Sequence, residues 1–155
     1  MKNTVSLLAL ALVTLALVAC EIPSKATGGG SIDGYAGSAS FGFNADSCDG
    51  DVKGRFQYND HDADVKFNGD VDGAGECDIL GCGTFCLGGE TRIGGTYEST
   101  NPFAPGSGTF EACVLDIGEG SGLHGNAFLY VFSGPYAGYA TEGLVSGNVQ
   151  EHGCN

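Results

Sequence analysis

Short stretches of this chain alternate apolar and polar residues with a period of two, which is the pattern of a β-strand with one buried face. In the first stretch, Phe41 and Phe43 share a face with Ala39 and Ala45. The segment 127–132 is apolar on both faces, which suits a central strand, a strand covered by a loop, or a strand at an interface. Strands are predicted at residues 39–45, 52–59, 64–71, 92–99, 108–117, 126–132 and 142–150.

These segments predict an all-β fold, either a small antiparallel barrel or a sandwich of about seven to eight strands. Glycines inside the predicted strands favour strongly bent strands, because a residue without a side chain permits a kink. They are Gly42, Gly54, Gly69 and Gly95. If the strands alternate up and down, the turn with Cys48, the loop 77–86 and the C-terminal Cys154 fall at one end of the domain.

The N-terminal segment has the features of a signal peptide, with Lys2 followed by an apolar run that ends at Ala19. A membrane-spanning helix needs about 20 apolar residues, and this run stops at Cys20. The sequence Leu-Val-Ala-Cys at residues 17–20 resembles the lipobox of bacterial lipoproteins. The resemblance implies cleavage before Cys20 and a lipid on its thiol; the alternative is an ordinary secretory signal with an incidental cysteine.

The chain is therefore predicted to contain a signal peptide (1–19), a lipidated cysteine with a flexible tether (20–31), and a cysteine-stapled β domain (32–155). The tether prediction depends on the sequence Gly-Gly-Gly-Ser at residues 28–31. In the enterobacterial sorting pattern, lipoproteins that carry aspartate after the lipidated cysteine are retained at the inner membrane. Because this chain has Glu21, we expect a lipid-anchored envelope protein, in the outer membrane if the cell is Gram-negative.

The charge balance excludes two classes of partner. After residue 19 the chain carries five Lys and Arg against 19 Asp and Glu, a side-chain charge of −14. Nucleic-acid binding needs clustered basic side chains, and so does electrostatic attachment to anionic lipid. The covalent lipid on Cys20 is thus the predicted contact with the membrane.

Six cysteines remain in the exported part, and an even number in an exported chain favours three disulfides. The sequence does not determine how they pair. An alternative is a zinc site formed by Cys77, Cys82 and Cys86, with His152 beside Cys154, but the spacing of the three cysteines does not match the close pairs of zinc ribbons. The disulfide candidates are Cys48, Cys77, Cys82, Cys86, Cys113 and Cys154.

An alternating acidic run, Asp60, Asp62 and Asp64, is a weak candidate for calcium binding, since carboxylates at odd positions converge on the ion in calcium loops. The sixth position of such a loop requires glycine and is Val65 here. The twelfth requires a bidentate acid and is Val71. A solvated acidic turn is the favoured interpretation.

The exported region also resembles a loosely defined group of secreted, glycine-rich bacterial β domains of unassigned function. The resemblance implies a β fold and export, and it transfers no catalytic residue. The matching stretches are SASFGFN (38–44), GRFQYND (54–60), DIGEGSG (116–122), SGPYAGY (133–139) and GLVSGNVQ (143–150).

The sequence therefore favours a membrane-anchored lipoprotein with a non-enzymatic role, either binding a protein partner or contributing to the structure of the cell envelope, with no cofactor. The alternative is a small exported hydrolase whose site lacks a recognisable motif. No G-x-S-x-G or H-E-x-x-H motif occurs, and His61, His124 and His152 are far apart in sequence. A perturbed titratable pair in a cleft would favour the enzyme.

Overall fold

The computed structural model of the protein describes residues 21–34, 37–116 and 125–154. These residues form nine β-strands; none of them belongs to a helix long and apolar enough to cross a membrane. The strands are β1 (Glu21–Ile22), β2 (Ser24–Gly34), β3 (Gly37–Asp46), β4 (Lys53–Asp60), β5 (Val65–Cys77), β6 (Thr91–Ser99), β7 (Ser107–Leu115), β8 (Asn126–Val131) and β9 (Ala140–Gly153).

Eight of these strands close into an antiparallel barrel. The order is β5-β4-β3-β2-β9-β8-β7-β6, and the pairing of β5 with β6 closes the ring. The short strand β1 is added to the end of β5. The all-β prediction is confirmed, and of its two forms the structure adopts the barrel.

Aromatic rings fill the barrel interior. Phe56 and Phe110 contact each other from non-adjacent strands with ring centroids 4.9 Å apart, and Phe67 lies 4.6 Å from Tyr97. All four side chains are at most 2% exposed. Such contacts add to the stabilisation from apolar burial, and the packed interior places the cavities of the protein at its ends and on its outer wall.

The prediction that residues 20–31 contain a flexible tether is wrong for residues 21–31, which form β1 and most of β2. Gly28 pairs with Phe43 of β3, and a Cβ on Gly28 would lie 2.8 Å from the Phe43 ring. Gly30 pairs with Gly147 of β9, where an added Cβ on Gly147 would lie 2.6 Å from the Gly30 Cα. The glycine run therefore leaves space for the Phe43 ring and lets the paired strands β2 and β9 approach each other closely.

One end of the barrel, here called the cysteine rim, contains β1, the β3–β4 turn (47–52), the β5–β6 loop (78–90) and the end of β9. The predicted clustering at one end is confirmed: a disulfide joins Cys48 to Cys154, and β1 pairs Glu21 with Cys77 at the start of the cysteine-rich loop. The predicted signal peptide and Cys20 lie outside the described residues.

After its first turn (78–81), the β5–β6 loop folds back along the outer wall of β8. Phe85 of this loop contacts Phe128, Tyr130 and Phe132, with ring centroids 5.3, 4.9 and 6.0 Å away. Of the three explanations for an apolar segment on both faces at 127–132, the structure therefore supports a strand that is covered in part by a loop.

Candidate functional site

Two carboxyl groups, those of Glu76 and Glu151, face the barrel interior at the cysteine rim. In β9, Glu151 has the same inward phase as the buried Val149, and it pairs with the buried Ala26 of β2. Glu76 pairs with Thr91 of β6, which is 1% exposed. Both glutamates line a cavity of about 630 Å³ that opens at this rim.

The environment of Glu151 favours its neutral form. Burial, followed by the negative charges of Glu76 and Asp116, raises the pKa of Glu151 to about 7. Glu151 Oε1 and Thr91 Oγ1 are buried, and neither forms a hydrogen bond within the described residues. A carboxyl group with a pKa near 7 exchanges its proton at neutral pH, as a general acid or base must. His152 also lines this cavity.

The six cysteines of the described residues form three disulfides. These bonds are present as the sequence analysis predicted, and they leave none of the six thiols available as a zinc ligand. In the described part of the chain, one group of three metal-ligating side chains converges, Cys86, Glu111 and Cys113, and its two cysteines are joined to each other. The pairs are Cys48–Cys154, Cys77–Cys82 and Cys86–Cys113.

An ion-pair network beneath the β5–β6 loop connects the start of the domain to the barrel wall. Arg92 donates from Nε to Glu111 Oε2 at 2.9 Å and from Nη1 to Glu21 Oε1 at 2.7 Å. Glu111 is 2% exposed, and its other oxygen accepts the backbone N–H groups of Thr84 and Phe85 at 2.8 and 2.9 Å. Glu111 therefore fixes the loop, and Arg92 links it to β1.

The acidic run at 60–64 is divided between a buried residue and an exposed turn. Asp60 is 4% exposed; its Oδ1 accepts the N–H groups of Asp62 and Ala63, and its Oδ2 accepts the Tyr139 hydroxyl at 2.6 Å. Asp62 and Asp64 are exposed, and no converging group of ligands in the described residues includes any of the three. The structure uses Asp60 to organise the turn after β4.

The partners of Asp60 form a short hydroxyl chain at the end of the barrel opposite the cysteine rim. The Tyr139 hydroxyl donates its proton to Asp60, so its oxygen accepts the hydrogen bond from the Tyr58 hydroxyl, at 2.6 Å. Burial raises the pKa of Tyr58 to about 12, and burial together with Asp60 raises the pKa of Tyr139. Both phenols stay protonated at neutral pH, and the chain is a structural feature.

An apolar patch lies on the outer wall, here called the outer aromatic face and defined by Phe85, Phe128, Tyr130 and Phe132. Phe85 is 40% exposed and Phe132 is 41% exposed. A groove of about 600 Å³ continues from Phe128 along β9, where Leu144 is 51% exposed. Single exposed apolar residues are normal, whereas a contiguous apolar patch marks an interaction surface.

Comparison of the chain with protein families, with characterised proteins and with solved structures finds no match. Two features of the described residues are candidate functional sites: the carboxylate-lined cavity at the cysteine rim and the outer aromatic face. The geometry of each supports a different function.

Sequence reasoning missed the residues at both the rim cavity and the ion-pair network. The predicted strand ended at residue 150, one residue before Glu151. Extending the alternation of β9 by one inward position would have placed a carboxyl group in the interior. Arg92 and Glu111 lie on outward positions of predicted strands, where charged residues are ordinarily solvated, so only the folded loop reveals their burial.

Proposed function

We propose that this protein is an exported lipoprotein, anchored in the cell envelope by a lipid on Cys20, whose barrel binds a protein partner without catalysing a reaction. The lipobox-like sequence at residues 17–20 supports the anchor. The outer aromatic face supports the binding function and is the observation on which the proposal chiefly depends. Placement in the outer membrane, if the cell is Gram-negative, follows from Glu21.

The chemistry of the outer aromatic face indicates the kind of segment it binds. Aromatic side chains dominate the energetics of protein interfaces because they bury large areas with few rotatable bonds. Carboxylates of Glu90 and Glu142 line a smaller cavity beside Phe85 and Phe128. An apolar patch with acidic neighbours fits a partner segment that presents apolar side chains flanked by Lys or Arg.

The anchor is tested by replacing its lipid acceptor. The Cys20→Ser variant is expected to take up no labelled fatty acid and to leave the membrane fraction, because the proposed acceptor thiol is gone. Asp51→Ser is the control, since it introduces the same residue at an exposed position and leaves Cys20 and the three disulfides in place. Equal labelling of Cys20→Ser and the unmodified protein contradicts the proposed anchor.

The binding face is tested by crosslinking in intact cells. A photoreactive phenylalanine analogue at Phe132 is expected to form one defined crosslinked species. The same analogue at Phe103, which is 91% exposed in the β6–β7 loop (100–106) and does not belong to the outer aromatic face, is the control and is expected to form none. Absence of a crosslink at Phe132, or the same product at both positions, contradicts a specific partner at this face.

A hydrolytic activity at the cysteine rim is the second candidate, because Glu151, whose pKa is raised, lies beside Glu76 in a cavity. Glu151, with its pKa of about 7, would transfer the proton, and Glu76 would be the neighbouring carboxylate. Chromogenic ester, glycoside and peptide substrates test this candidate. Turnover by the unmodified protein that Glu151→Gln abolishes would favour the enzyme, whereas turnover that survives Glu151→Gln would exclude Glu151 as the catalytic acid.

A further inference from the structure

The first turn of the β5–β6 loop holds two aliphatic side chains in water. Ile79 is 90% exposed and Leu80 is 84% exposed. They are the central residues of a tight turn in which Gly81 N–H donates to Asp78 O at 2.9 Å and Leu80 N–H donates to Asp78 Oδ1 at 2.8 Å. Gly81 has φ of +83°, which favours glycine, so the turn has a defined backbone.

A disulfide makes this turn rigid. Cys77 and Cys82 flank the turn and are bonded to each other. The loop returns to the barrel where Gly89 N–H donates to Cys77 O and Cys77 N–H donates to Glu90 O, at 3.0 and 2.8 Å. A rigid turn cannot fold Ile79 and Leu80 back into the barrel, so their exposure is a fixed property of this rim.

The turn lies directly beside the start of the domain. In β1, Glu21 pairs with Cys77 and Ile22 pairs with Glu76, and Ile22 is itself 51% exposed. The ion pair between Glu21 and Arg92 holds β1 in place. Because one backbone step is about 3.8 Å and paired strands lie about 4.8 Å apart, a lipid on the residue before Glu21 is attached within about 10 Å of Cys77.

We infer that the turn 78–81, together with Ile22, inserts into the lipid–water interface of the membrane that holds the anchor; this rests on the lipid proposed for Cys20. The acyl chains of the anchor lie within the bilayer, so the start of β1 is held at the headgroups. Apolar side chains at an interface enter it by about 5–10 Å. Ile79 and Leu80 are close enough to the anchor to reach that depth without any change in the barrel.

The composition of this rim favours lipid over a protein partner. Leucine is under-represented among the residues that dominate protein interfaces, where Trp, Tyr and Arg prevail. The turn has Asp78 at its start, and Glu90 follows at the end of the loop. These carboxylates disfavour an anionic surface, so the insertion is expected in zwitterionic lipid. The outer aromatic face stays free for a protein because it lies on the wall of the barrel.

Tryptophan fluorescence tests the insertion, because the chain contains no tryptophan. Leu80→Trp places one at the turn, and Phe103→Trp places one at an equally exposed position at the opposite end. Each mature lipoprotein is purified from membranes and reconstituted in phosphatidylcholine vesicles, with and without brominated chains. Leu80→Trp is expected to show emission at shorter wavelength and quenching by the brominated lipid, and Phe103→Trp neither.

Flotation of the same samples separates the two proposals. If the protein does not float with the vesicles, the anchor proposal fails and the insertion fails with it. If it floats but Leu80→Trp is quenched no more than Phe103→Trp, the anchor stands and the insertion is wrong. Equal melting temperatures of the two variants before reconstitution establish that both barrels are folded.

Discussion

Replacement of Arg92 by methionine is expected to destabilise the barrel more than the loss of an ordinary surface ion pair. Methionine retains an apolar stem of similar length but removes both charge-assisted hydrogen bonds, to Glu111 and to Glu21. Burial alone would lower the pKa of Arg92, but hydrogen bonding to Glu111 and the charges of Glu21 and Glu111 raise it. The guanidinium group is therefore charged at all ordinary pH values. The substitution therefore leaves Glu111 buried without its counter-charge.

The magnitude follows from the burial of Glu111. Removing one partner of a buried ion pair destabilises a protein by about 3–5 kcal/mol. Glu111 is 2% exposed, but it keeps the backbone N–H groups of Thr84 and Phe85, which places the expected loss near the lower limit, at about 3 kcal/mol. For a domain of this size that corresponds to a fall in Tm of about 10 °C.

Denaturant unfolding of the oxidised mature protein measures this loss, and Arg55→Met is the matched control. The Arg55–Asp70 pair is 2.6 Å long, but its side chains are 71% and 68% exposed, so its loss is expected to lower the free energy of unfolding by less than about 1 kcal/mol. Equal losses for Arg92→Met and Arg55→Met would refute the reasoning that burial of Glu111 decides the difference.

Three further predictions concern the remaining features of the barrel. Loss of the disulfide between Cys48 and Cys154, which spans 106 residues, is expected to lower the free energy of unfolding by about 4–5 kcal/mol in the chain-entropy description. Denaturant unfolding of the variant with both cysteines replaced by serine measures this loss, and an unchanged denaturant midpoint would contradict the prediction. The pKa of Glu151 is raised from 4.5 to about 7, so the folded state binds this proton more tightly than the unfolded state does. The contribution of Glu151 to the free energy of unfolding therefore falls as pH rises from 4.5 to 7. Glu151→Gln should remove this fall, and a pH profile of stability identical to that of the unmodified protein would exclude Glu151 as its cause. Tyr139→Phe leaves the buried Asp60 Oδ2 without its hydroxyl donor and should lower Tm through a loss of about 1–3 kcal/mol, whereas an unchanged Tm would show that this bond contributes nothing.

The strands that could be predicted are those whose side chains alternate visibly. Phe56 and Tyr58 in β4, and Val65 and Phe67 in β5, face inward while polar residues face outward, so period two identifies both strands. In β2 the same alternation is hidden, because glycines occupy inward and outward positions alike. Their role depends on the Phe43 ring and on β9, which are neighbours only in the folded barrel.

The candidate site was less predictable than the fold, for a related reason. That the cysteines pair followed from their even number in an exported chain, but the choice among pairings depends on which strand ends meet at one rim. The burial of Glu111 depends on a loop that folds back over β7. The acidic run at Asp60 was visible in the sequence, yet the structure directs its buried carboxylate to backbone N–H groups and to Tyr139.

Mass spectrometry of the N-terminal peptide of the mature protein, purified from membranes, tests most directly the lipid anchor, on which both the proposed location and the proposed membrane insertion depend. The proposal predicts a peptide that begins at Cys20 and carries the added mass of a diacylglyceryl group and its acyl chains. A peptide that begins at another residue, or an unmodified Cys20, would contradict it.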